Sequence, residues 1–493
     1  MKRWTASFLL FSLLSLGLSV IPAAASGIDS FGTSSLTKSD GSFWIWGDRR
    51  TVPTQIPGLQ QIKNDFADTG FVVEEDGSVY YISQQFYSLE YEIHPVEAIQ
   101  HVEKVYYGYG RYLFLDRDGN VFATHRKDGS IAELLEQIQP VPGMQHVKDI
   151  SGYVESREAP YAYDPMWLFL KDDGTVWKGK ENADTWDRIA VLDGALDLEQ
   201  NLVLKTDGTV WAFPKYLSGD EAAEPAPVEG LSGITSIHTN GRSSVAVDED
   251  GRLWFWGASV TGASDGTLFH DHPIPIRFEN VDHLLTAYVV DRSLIAHTDD
   301  GSVFASSIGT DTVDRSQDFR LLATGVRRLE AAWGHMIIQK EDGTLWSWGD
   351  NDRAQLGTGN YEPAFDSPVP MQKPVSLRLN GETVALANGI VIQGGQAFVP
   401  LRSVFEKLGA VLSWDHPTQT VTIQRNGTTK PELTVVINYA SGEVKVNETP
   451  VVLANRPFIV NGSSYLPLRF VSESLGAKVE WKSSEEIIDI VME

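Results

Sequence analysis

The feature that most constrains the fold of this chain is a repeat with a spacing of about 43 residues. Each of eight copies contains an Asp-Gly pair and has an aromatic residue four positions after the Asp. An Asp-Gly pair between two short apolar runs is the strongest local signal for a tight β-hairpin. The eight Asp residues are Asp40, Asp76, Asp118, Asp173, Asp207, Asp250, Asp300 and Asp342, and the aromatic residues are Trp44, Tyr80, Phe122, Trp177, Trp211, Trp254, Phe304 and Trp346.

A second apolar run upstream of each turn gives every copy several short strands, as in residues 202–204 and 245–247. A unit of this size that buries its faces only between neighbours is typical of a propeller blade. We therefore predict a mainly β fold, with a seven- or eight-bladed β-propeller over residues 26–360 and the aromatic residues between blades. The blade number is left open because the interval from Asp118 to Asp173 is long and contains Asp128 and Gly129.

The last copy, Lys340–Gly359, carries the most specific motif. It contains Trp-Gly-Asp-Asn at 348–351, then Gln355, Leu356, Gly357 and Gly359. This motif resembles the repeat of the regulator of chromosome condensation family, whose members form circular β-propellers, and the resemblance extends over about residues 30–372. The family is best known for nucleotide exchange on a nuclear GTPase and for chromatin binding. We interpret this copy as the seam where the ring closes and the C-terminal region departs.

A different repeat follows a Pro-rich segment at residues 361–374, which predicts a stiff linker. In residues 375–493 two copies are offset by a constant 67 positions. The first copy contains Asn380, Pro400, Leu401, Arg402, Gly409, Trp414, Val421 and Ile423, and the second contains Asn447, Pro467, Leu468, Arg469, Gly476, Trp481, Ile488 and Ile490. Pro suits the first turn of a helix and Gly its end, so each copy predicts a small α+β module of strands around one helix.

The C-terminal pair resembles the domain named after the N-terminal part of copper amine oxidase, a duplicated stalk domain of exported bacterial proteins. Amine oxidation itself requires a tyrosine-derived quinone and three histidine ligands. Residues 375–493 contain only His416, and Tyr439 lacks the acidic residue that follows the processed tyrosine. The resemblance therefore implies a spacer or a cell-envelope attachment and no redox chemistry.

The N-terminus predicts export. Lys2 and Arg3 precede an apolar run from Phe8 to Leu18, and Ala23–Ala25 suits a cleavage site, so residues 1–25 match a signal peptide. The alternative, a membrane anchor, would need about 20 apolar residues. With no Cys in the chain, disulfides, thiolate metal sites and Cys nucleophiles are excluded. We expect a secreted or cell-wall-associated protein of a Gram-positive bacterium, without a membrane span after removal of the signal.

Charge narrows the choice of partner. The chain has a formal net charge of −26 at pH 7. The C-terminal pair has 10 basic and 12 acidic residues, so nearly all of the acidity lies in the propeller region. A surface this negative repels phosphate backbones, so we expect no nucleic-acid partner. Solubility and repulsion of other acidic molecules are sufficient to explain such a charge. Attraction of a basic partner or of cations is the more specific explanation.

Few motifs suggest chemistry. No Gly-x-Ser-x-Gly elbow occurs. His270 and His272 would share one face of a strand, but a third metal ligand is not evident. Acidic turns at 116–119 and 350–352 lack the ligand spacing of calcium loops, and the Asn residues of three glycosylation triplets, Asn426, Asn447 and Asn461, suit polar turns. No catalytic, cofactor-binding or metal-binding residue is assigned, and no cofactor is expected.

The function predicted from the sequence is that of an exported non-enzymatic binding protein. It would present an acidic propeller to a protein or cell-surface glycan, with the C-terminal pair as spacer or attachment. Loops at one end of a propeller are the usual binding surface, and those around Trp186, Tyr216 and Phe269 are candidates. The alternatives are a polysaccharide-degrading enzyme that uses propeller carboxylates and an inhibitor of a secreted enzyme, since a secreted bacterial propeller that inhibits β-lactamase has a similar repeat region.

Overall fold

A computed structural model describes residues 27–84, 89–108, 110–124, 131–158, 161–181, 185–218, 223–262, 266–407, 409–425, 432–460, 462–474 and 476–492. The proposed signal peptide, the Asp128–Gly129 pair, Asn426 and Asn461 lie outside these residues. Within them the chain is dominated by short antiparallel strands, as the hairpin repeat predicts. None of the helices there is long and apolar enough to cross a bilayer.

The repeat region forms eight successive sheets in the part of the chain that the structure describes, which supports eight blades rather than seven. Seven sheets have four strands, and the fourth sheet has a fifth strand from the next repeat. The first three blades comprise β1 (Ile28–Phe31), β2 (Ser35–Lys38), β3 (Ser42–Gly47) and β4 (Arg50–Gln60); β5 (Ile62–Phe66), β6 (Phe71–Glu74), β7 (Val79–Gln84) and β8 (Tyr91–Pro95); and β9 (Val102–Gly108), β10 (Arg111–Asp116), β11 (Val121–Ala123) and β12 (Gln139–Pro140).

The fourth and fifth blades are interlocked, because β20 from the fifth repeat pairs in parallel with β13 of the fourth. They comprise β13 (Val147–Glu158), β14 (Tyr161–Lys171), β15 (Val176–Lys180), β16 (Asp187–Arg188), β17 (Ala195–Glu199), β18 (Leu202–Lys205), β19 (Val210–Ala212), β20 (Tyr216–Leu217) and β21 (Ala226–Pro227). Short helical segments connect strands within the second blade, at the 3-10 turn Ala67–Thr69, and within the third, at α1 (Ile131–Leu135). The 3-10 turn Ala190–Leu192 joins the fourth repeat to the fifth.

The last three blades are regular. They comprise β22 (Ile234–Thr239), β23 (Ser243–Asp248), β24 (Leu253–Thr261) and β25 (Leu268–Arg277); β26 (Leu284–Val290), β27 (Ser293–Thr298), β28 (Val303–Ser307) and β29 (Arg320–Ala323); and β30 (Val326–Ala331), β31 (His335–Lys340), β32 (Leu345–Asp350) and β33 (Ala364–Pro370). β33 corrects one prediction: the Pro-rich segment is not only a linker, because it supplies the outer strand of the last blade. Pro is compatible with an edge strand, where a missing N–H faces no partner.

The sheets form a closed ring. From the second blade to the seventh, the first strands of consecutive blades contact one another, which places them at the centre. A buried apolar cluster lies at each of the eight junctions between neighbouring sheets, including the junction of the last blade with the first. Each of the eight repeat aromatics packs against the cluster that joins its own sheet to the preceding one, so the predicted packing of these residues between blades is confirmed.

The C-terminal region forms one intertwined unit from its two copies. Its first copy contains β34 (Ser376–Leu379), β35 (Glu382–Thr383), β36 (Val391–Gln393), β37 (Gln396–Pro400), α2 (Leu401–Phe405), β38 (Val411–Asp415) and β39 (Thr420–Arg425). The second contains β40 (Leu433–Asn438), β41 (Val444–Val446), β42 (Thr449–Val451), β43 (Phe458–Val460), β44 (Ser463–Pro467), α3 (Leu468–Ser474), β45 (Ala477–Lys482) and β46 (Ile487–Met492).

Strands of both copies share all three C-terminal sheets, whose orders are β35-β34-β46-β45, β36-β37-β44-β43 and β38-β39-β40-β41-β42. Val399 pairs with Leu466, its counterpart 67 positions later, so the copies are related by a pseudo-twofold axis. One apolar core spans both copies. Pro400 directly precedes α2, close to the predicted helix start, whereas α2 ends at Phe405, four residues before Gly409. Gly409 itself adopts a φ of 78°, which favours glycine.

Candidate binding surface at the loop end of the propeller

The two ends of the propeller differ in their connections. At one end, here called the turn end, Asp-Gly turns join the second and third strands. In six of these turns the Asp carboxylate accepts the backbone N–H two residues later, as from Ser42 to Asp40 at 2.9 Å. In the other two, Asp116 and Asp248, two positions before the pair, take this role. At the other end of the propeller, here called the loop end, lie the connections between first and second strands and between third and fourth. These include longer segments such as 308–319 and 351–363. Variable loops on a rigid scaffold commonly carry binding residues.

A cavity of about 430 Å³ lies among the central strands β9, β13 and β17 and opens near the loop end. Alternate residues of a strand point to the same side, and these three strands line the cavity with residues two positions apart. The polar lining residues are Lys104, Tyr106, Tyr107, Asp149, Ser151, Asp197, Glu199 and Gln200. The cavity therefore holds three carboxylates and one lysine.

Of the three carboxylates, Asp149 is the one with a cation and a hydrogen-bond donor beside it. Its Oδ1 accepts a hydrogen bond from Tyr106 at 2.7 Å and lies 2.7 Å from Lys104 Nζ. Burial and the adjacent Asp149 charge raise the pKa of Tyr106, so the phenol keeps its proton and remains a donor. This triad fixes one wall of the cavity.

Asp197 and Glu199 are less well compensated. Burial, followed by the charges of Asp197 and Asp149, raises the pKa of Glu199 to about 7. Burial and Asp149 also raise the pKa of Asp197. His238 Nδ1 lies 3.7 Å from Glu199 Oε1, but burial lowers the pKa of His238 to about 4, so its ring is uncharged at neutral pH. This side of the cavity is suited to a cationic ligand group.

Two glycines shape the apolar part of the cavity. Gly108 and Gly152 lie against the Trp167 indole, and a Cβ at Gly152 would approach its ring to 2.8 Å. Residues of three consecutive repeats meet here only when neighbouring blades pack side by side. Sequence reasoning therefore missed the cavity, and the alternating acids of residues 197 and 199 were its only local signal.

Exposed aromatic side chains surround the same end. Tyr107, Tyr163, Tyr216, Phe269 and Trp333 are between 45% and 81% exposed, and each stands at a loop-end connection or at the adjoining end of a strand. Exposed aromatic residues are enriched at binding interfaces. Two of the three predicted candidates, Tyr216 and Phe269, belong to this group.

Trp186, the third predicted candidate, has a structural role. Its Nε1 donates to the Pro142 carbonyl at 3.1 Å, and its ring meets Phe169 edge to face at 4.7 Å. It therefore supports the junction of the third and fourth blades.

A long hairpin extends the loop end. β13 and β14 pair from Val147 to Glu158, whereas the corresponding strands of other blades have four to seven residues. At its base, Lys178 Nζ lies 2.6 Å from buried Glu155 and 4.8 Å from the centre of the Phe213 ring. Tyr153 donates a hydrogen bond of 2.6 Å to the same carboxylate. This buried polar cluster fixes the hairpin to the next blade.

The other sequence motifs do not assemble into catalytic sites among the described residues. His270 and His272 contact the hydroxyls of Thr261 and Ser259, and no cluster of three or more metal-ligating side chains occurs there. Asp116 caps its turn by accepting the Asn120 amide, and Asn351 holds its loop by accepting the Leu356 amide. Asn447 accepts the Thr434 amide from a turn, as predicted.

Comparisons with known proteins confirm both resemblances. The family model for the regulator of chromosome condensation (RCC1) repeat matches residues 342–385. The model for the copper amine oxidase N-terminal domain matches residues 378–490. A curated relative, a protease inhibitor from Brevibacillus choshinensis, is 33% identical over 133 residues, which cover 26% of this chain and 36% of that protein. The match thus spans about a third of the relative's length.

Among solved structures, Prp20p from Saccharomyces cerevisiae is 14% identical, with a TM-score of 0.41 and coverage of 64% of this chain and 91% of that one. Human WBSCR16 is 19% identical, with a TM-score of 0.40 and coverage of 58% and 87%. The chain thus joins a β-propeller that contains an RCC1 repeat to a copper amine oxidase N-terminal domain.

Proposed function

We propose that this chain is a non-enzymatic binding protein that takes up a basic side chain of a protein partner at the loop end of its propeller. The observation that carries the proposal is the cavity beside Asp197 and Glu199. Among the described residues neither carboxylate forms an ion pair with Lys or Arg. An ammonium or guanidinium group placed there would form charge-assisted hydrogen bonds and lower both pKa values.

The surroundings favour a protein over a neutral glycan as the partner at this end. Lysine and arginine side chains supply the cation that the cavity lacks, and the exposed aromatics around it provide apolar contact area. The acidity of the propeller region would also steer a basic partner towards it. We propose that the partner is met outside the cytoplasm, because residues 1–25 match an export signal.

Affinity capture from the native cell envelope and medium tests this function. We expect the full chain to capture a partner that poly-lysine displaces and poly-glutamate does not. The Asp197→Asn/Glu199→Gln variant should lose the capture, whereas the exposed Glu97→Gln should retain it. Capture that survives in the double variant would show that the cavity does not hold the partner.

Inhibition of a secreted protease is a narrower form of the same function. It is supported by the identity shared with a protease inhibitor over 133 residues. Titration of the full chain against secreted proteases measures it directly. We expect stoichiometric inhibition that the double cavity variant weakens.

A second candidate function is polysaccharide cleavage by propeller carboxylates. Glu199, whose pKa is raised to about 7, lies in a cavity with Asp149 and Asp197. A carboxylic acid that stays protonated beside an ionised carboxylate is the pair that glycoside hydrolysis uses. Incubation with a glycan panel separates the two functions, because turnover that Glu199→Gln abolishes would exclude a purely binding role.

For the C-terminal pair we propose attachment to the cell envelope. Docking to the first blade, through hydrogen bonds such as Asn388 Nδ2 to Thr51 Oγ1 at 2.9 Å, does not suit a free spacer. Cell fractionation compares the full chain with residues 26–372. Equal wall retention of the two would show that the C-terminal pair is not the attachment.

A further inference from the structure

A groove of about 730 Å³ lies where the C-terminal domain meets the propeller. One wall comes from loop-end connections of the first two blades, at Arg49, Leu89 and Glu90. The opposite wall comes from α2, β38 and the residues around them, including Arg402 and Trp414. The groove therefore exists only while the two parts are docked.

The docking contacts make the two walls one rigid site. Buried Asn388 accepts the Thr51 amide at 3.1 Å, and the Gly389 amide donates to Thr54 Oγ1 at 2.8 Å. Gly389 is needed there, because a Cβ would lie 2.3 Å from the Pro53 carbonyl oxygen. A pre-formed site loses little conformational entropy when a ligand binds.

The groove offers a flat aromatic surface with hydroxyl groups around it. Trp414 is 42% exposed and lines the groove, and Tyr439 supports its ring at 6.0 Å. Four serines, Ser403, Ser413, Ser463 and Ser464, also line it. A half-exposed indole beside hydroxyl donors and acceptors suits a sugar ring, which has an apolar face and a polar edge.

The charge of the groove is opposite to that of the rest of the molecule. Among the described residues, Arg49, Arg402 and His416 line it together with one acid, Glu90, whereas the whole chain carries −26. Arg402 lies 3.9 Å from Glu406, but both side chains are well exposed, so this contact is weak. Arginine is the residue best suited to hold carboxylate or phosphate groups.

We propose that the junction groove binds an anionic oligosaccharide, with a sugar ring on Trp414 and its carboxylates or phosphates at Arg49 and Arg402. This inference rests on the attachment function proposed for the C-terminal pair and is independent of partner binding at the loop end. The internal duplication provides a matched control. Trp481 is the counterpart of Trp414 and is 49% exposed, but it does not line the groove.

Calorimetric titration of the full chain at low salt tests the proposal with three probes. These are trigalacturonate, a glycerol phosphate oligomer, and the neutral cellotriose. We expect at least one anionic probe to bind. The difference in affinity between the two anionic probes identifies carboxylate or phosphate as the recognised group. Trp414→Ala and Arg402→Gln should weaken this binding about tenfold or more. Trp481→Ala should leave it unchanged, and Trp414→Phe should retain most of it.

Several outcomes would overturn the proposal. These are no binding of either anionic probe, equal binding of cellotriose, an equal loss in Trp481→Ala, or equally tight binding of hexaglutamate at the same residues. The attachment function is tested separately by wall retention. If the full chain stays on the wall and no probe binds, attachment stands and the assignment of the groove to an anionic glycan fails.

Discussion

At the scale of single residues, the repeat encodes a small hydrogen-bonded unit. In four described blades a Trp Nε1 donates to the Ser or Thr hydroxyl two residues earlier, and that hydroxyl donates to the Asp of the turn. A Lys two positions before the Asp lies over the Trp ring, at 3.7 Å for Lys340 and Trp346. The repeated Asp, Ser or Thr, and Trp are therefore held in place by one another. This explains why their spacing is the same in these repeats.

The stability contributed by the repeat aromatics should follow their burial. Trp44 is almost fully buried at the seam between the last and first blades, whereas Trp346 is half-buried. We expect Trp44→Ala to cost about 3–5 kcal/mol and Trp346→Ala about 1–2 kcal/mol. Melting temperatures of the two variants measure the difference. An unchanged melting temperature for Trp346→Ala would refute its packing role.

The pKa of Glu199 predicts a pH-dependent stability. Its value of about 7 in the folded protein lies above the ordinary 4.5, chiefly because of burial. The contribution of this carboxyl is therefore fully present below about pH 4.5 and is lost as the pH rises through about 7. In urea unfolding, the free energy of unfolding of Glu199→Gln should equal that of the wild type near pH 4.5 and be higher at pH 8.5. Exposed Glu97→Gln is the control. A difference in unfolding free energy between Glu199→Gln and the wild type that does not change with pH would contradict the raised pKa of Glu199.

The sequence predicts the turns and the inter-blade aromatics because their determinants are local. Asp, Gly and the aromatic residue lie within five positions, and hairpin chemistry and period-2 alternation decide their places. Asp149, Asp197 and Glu199 come together only through the order and number of blades. Gly108 and Gly152 gave no local signal either, because the indole they accommodate belongs to β14. The candidate site is therefore a property of the packing between neighbouring blades.

At the scale of elements, the β13–β14 hairpin depends on a buried charge pair. Glu155 and Lys178 are 5% and 11% exposed and lie 2.6 Å apart. Removing one partner of such a pair costs about 3–5 kcal/mol because the other charge stays buried, whereas removing both costs less. We expect Glu155→Gln to destabilise the protein more than Glu155→Gln/Lys178→Met. Urea unfolding of the two variants and of Lys178→Met alone measures the coupling. Additive effects would show that the pair does not hold the hairpin.

The Pro-rich segment shows why element prediction failed at one place. Four Pro residues in residues 361–374 predicted a connector. In the structure β33 pairs with β32 through contacts such as Ser347 with Val369. As the outermost strand of its blade, β33 leaves one edge unpaired, so its Pro residues cost few ladder hydrogen bonds. Local composition identified the Pro-rich stretch correctly but carried no information about its neighbour in space.

At the scale of the whole molecule, the C-terminal domain covers the first blade. Val52 in β4 is buried with Val391, Phe398 and Tyr465 of the C-terminal domain. The C-terminal domain follows the last blade directly in the chain and packs on the first blade. It therefore bridges the junction at which the ring closes. The sequence predicted two modules beyond a linker. It could not predict the docking, because no local pattern distinguishes a strand covered by another domain from one buried in its own sheet.

One repeat lysine has been recruited to this docking. Lys38 belongs to the same Lys, Asp, Thr or Ser, and Trp unit as Lys205, and its Nζ lies 5.7 Å from the Trp44 ring. Unlike Lys205, which donates to the carbonyl of Val191, Lys38 is buried and pairs at 2.9 Å with Glu486 of the C-terminal domain. Lys38 and Lys205 occupy the same position of the repeat, but Lys38 pairs with Glu486 and Lys205 does not. The ion pair with the C-terminal domain is therefore a feature of the first blade and not of the repeat.

We expect Glu486→Gln to loosen the docking, because Lys38 would then be buried without its counter-charge. Lys38→Met should have a smaller effect, since it removes the charge itself, and Lys205→Met should have none. Hydrogen exchange of peptides that cover β4 measures the docking locally, which suits a chain whose two parts need not unfold together. Exchange should be fastest in Glu486→Gln. If Glu486→Gln, Lys38→Met and Lys205→Met exchange alike, the ion pair does not hold the C-terminal domain on the ring, and the docking depends on the apolar contacts of Val52 and the hydrogen bonds of Asn388 and Gly389.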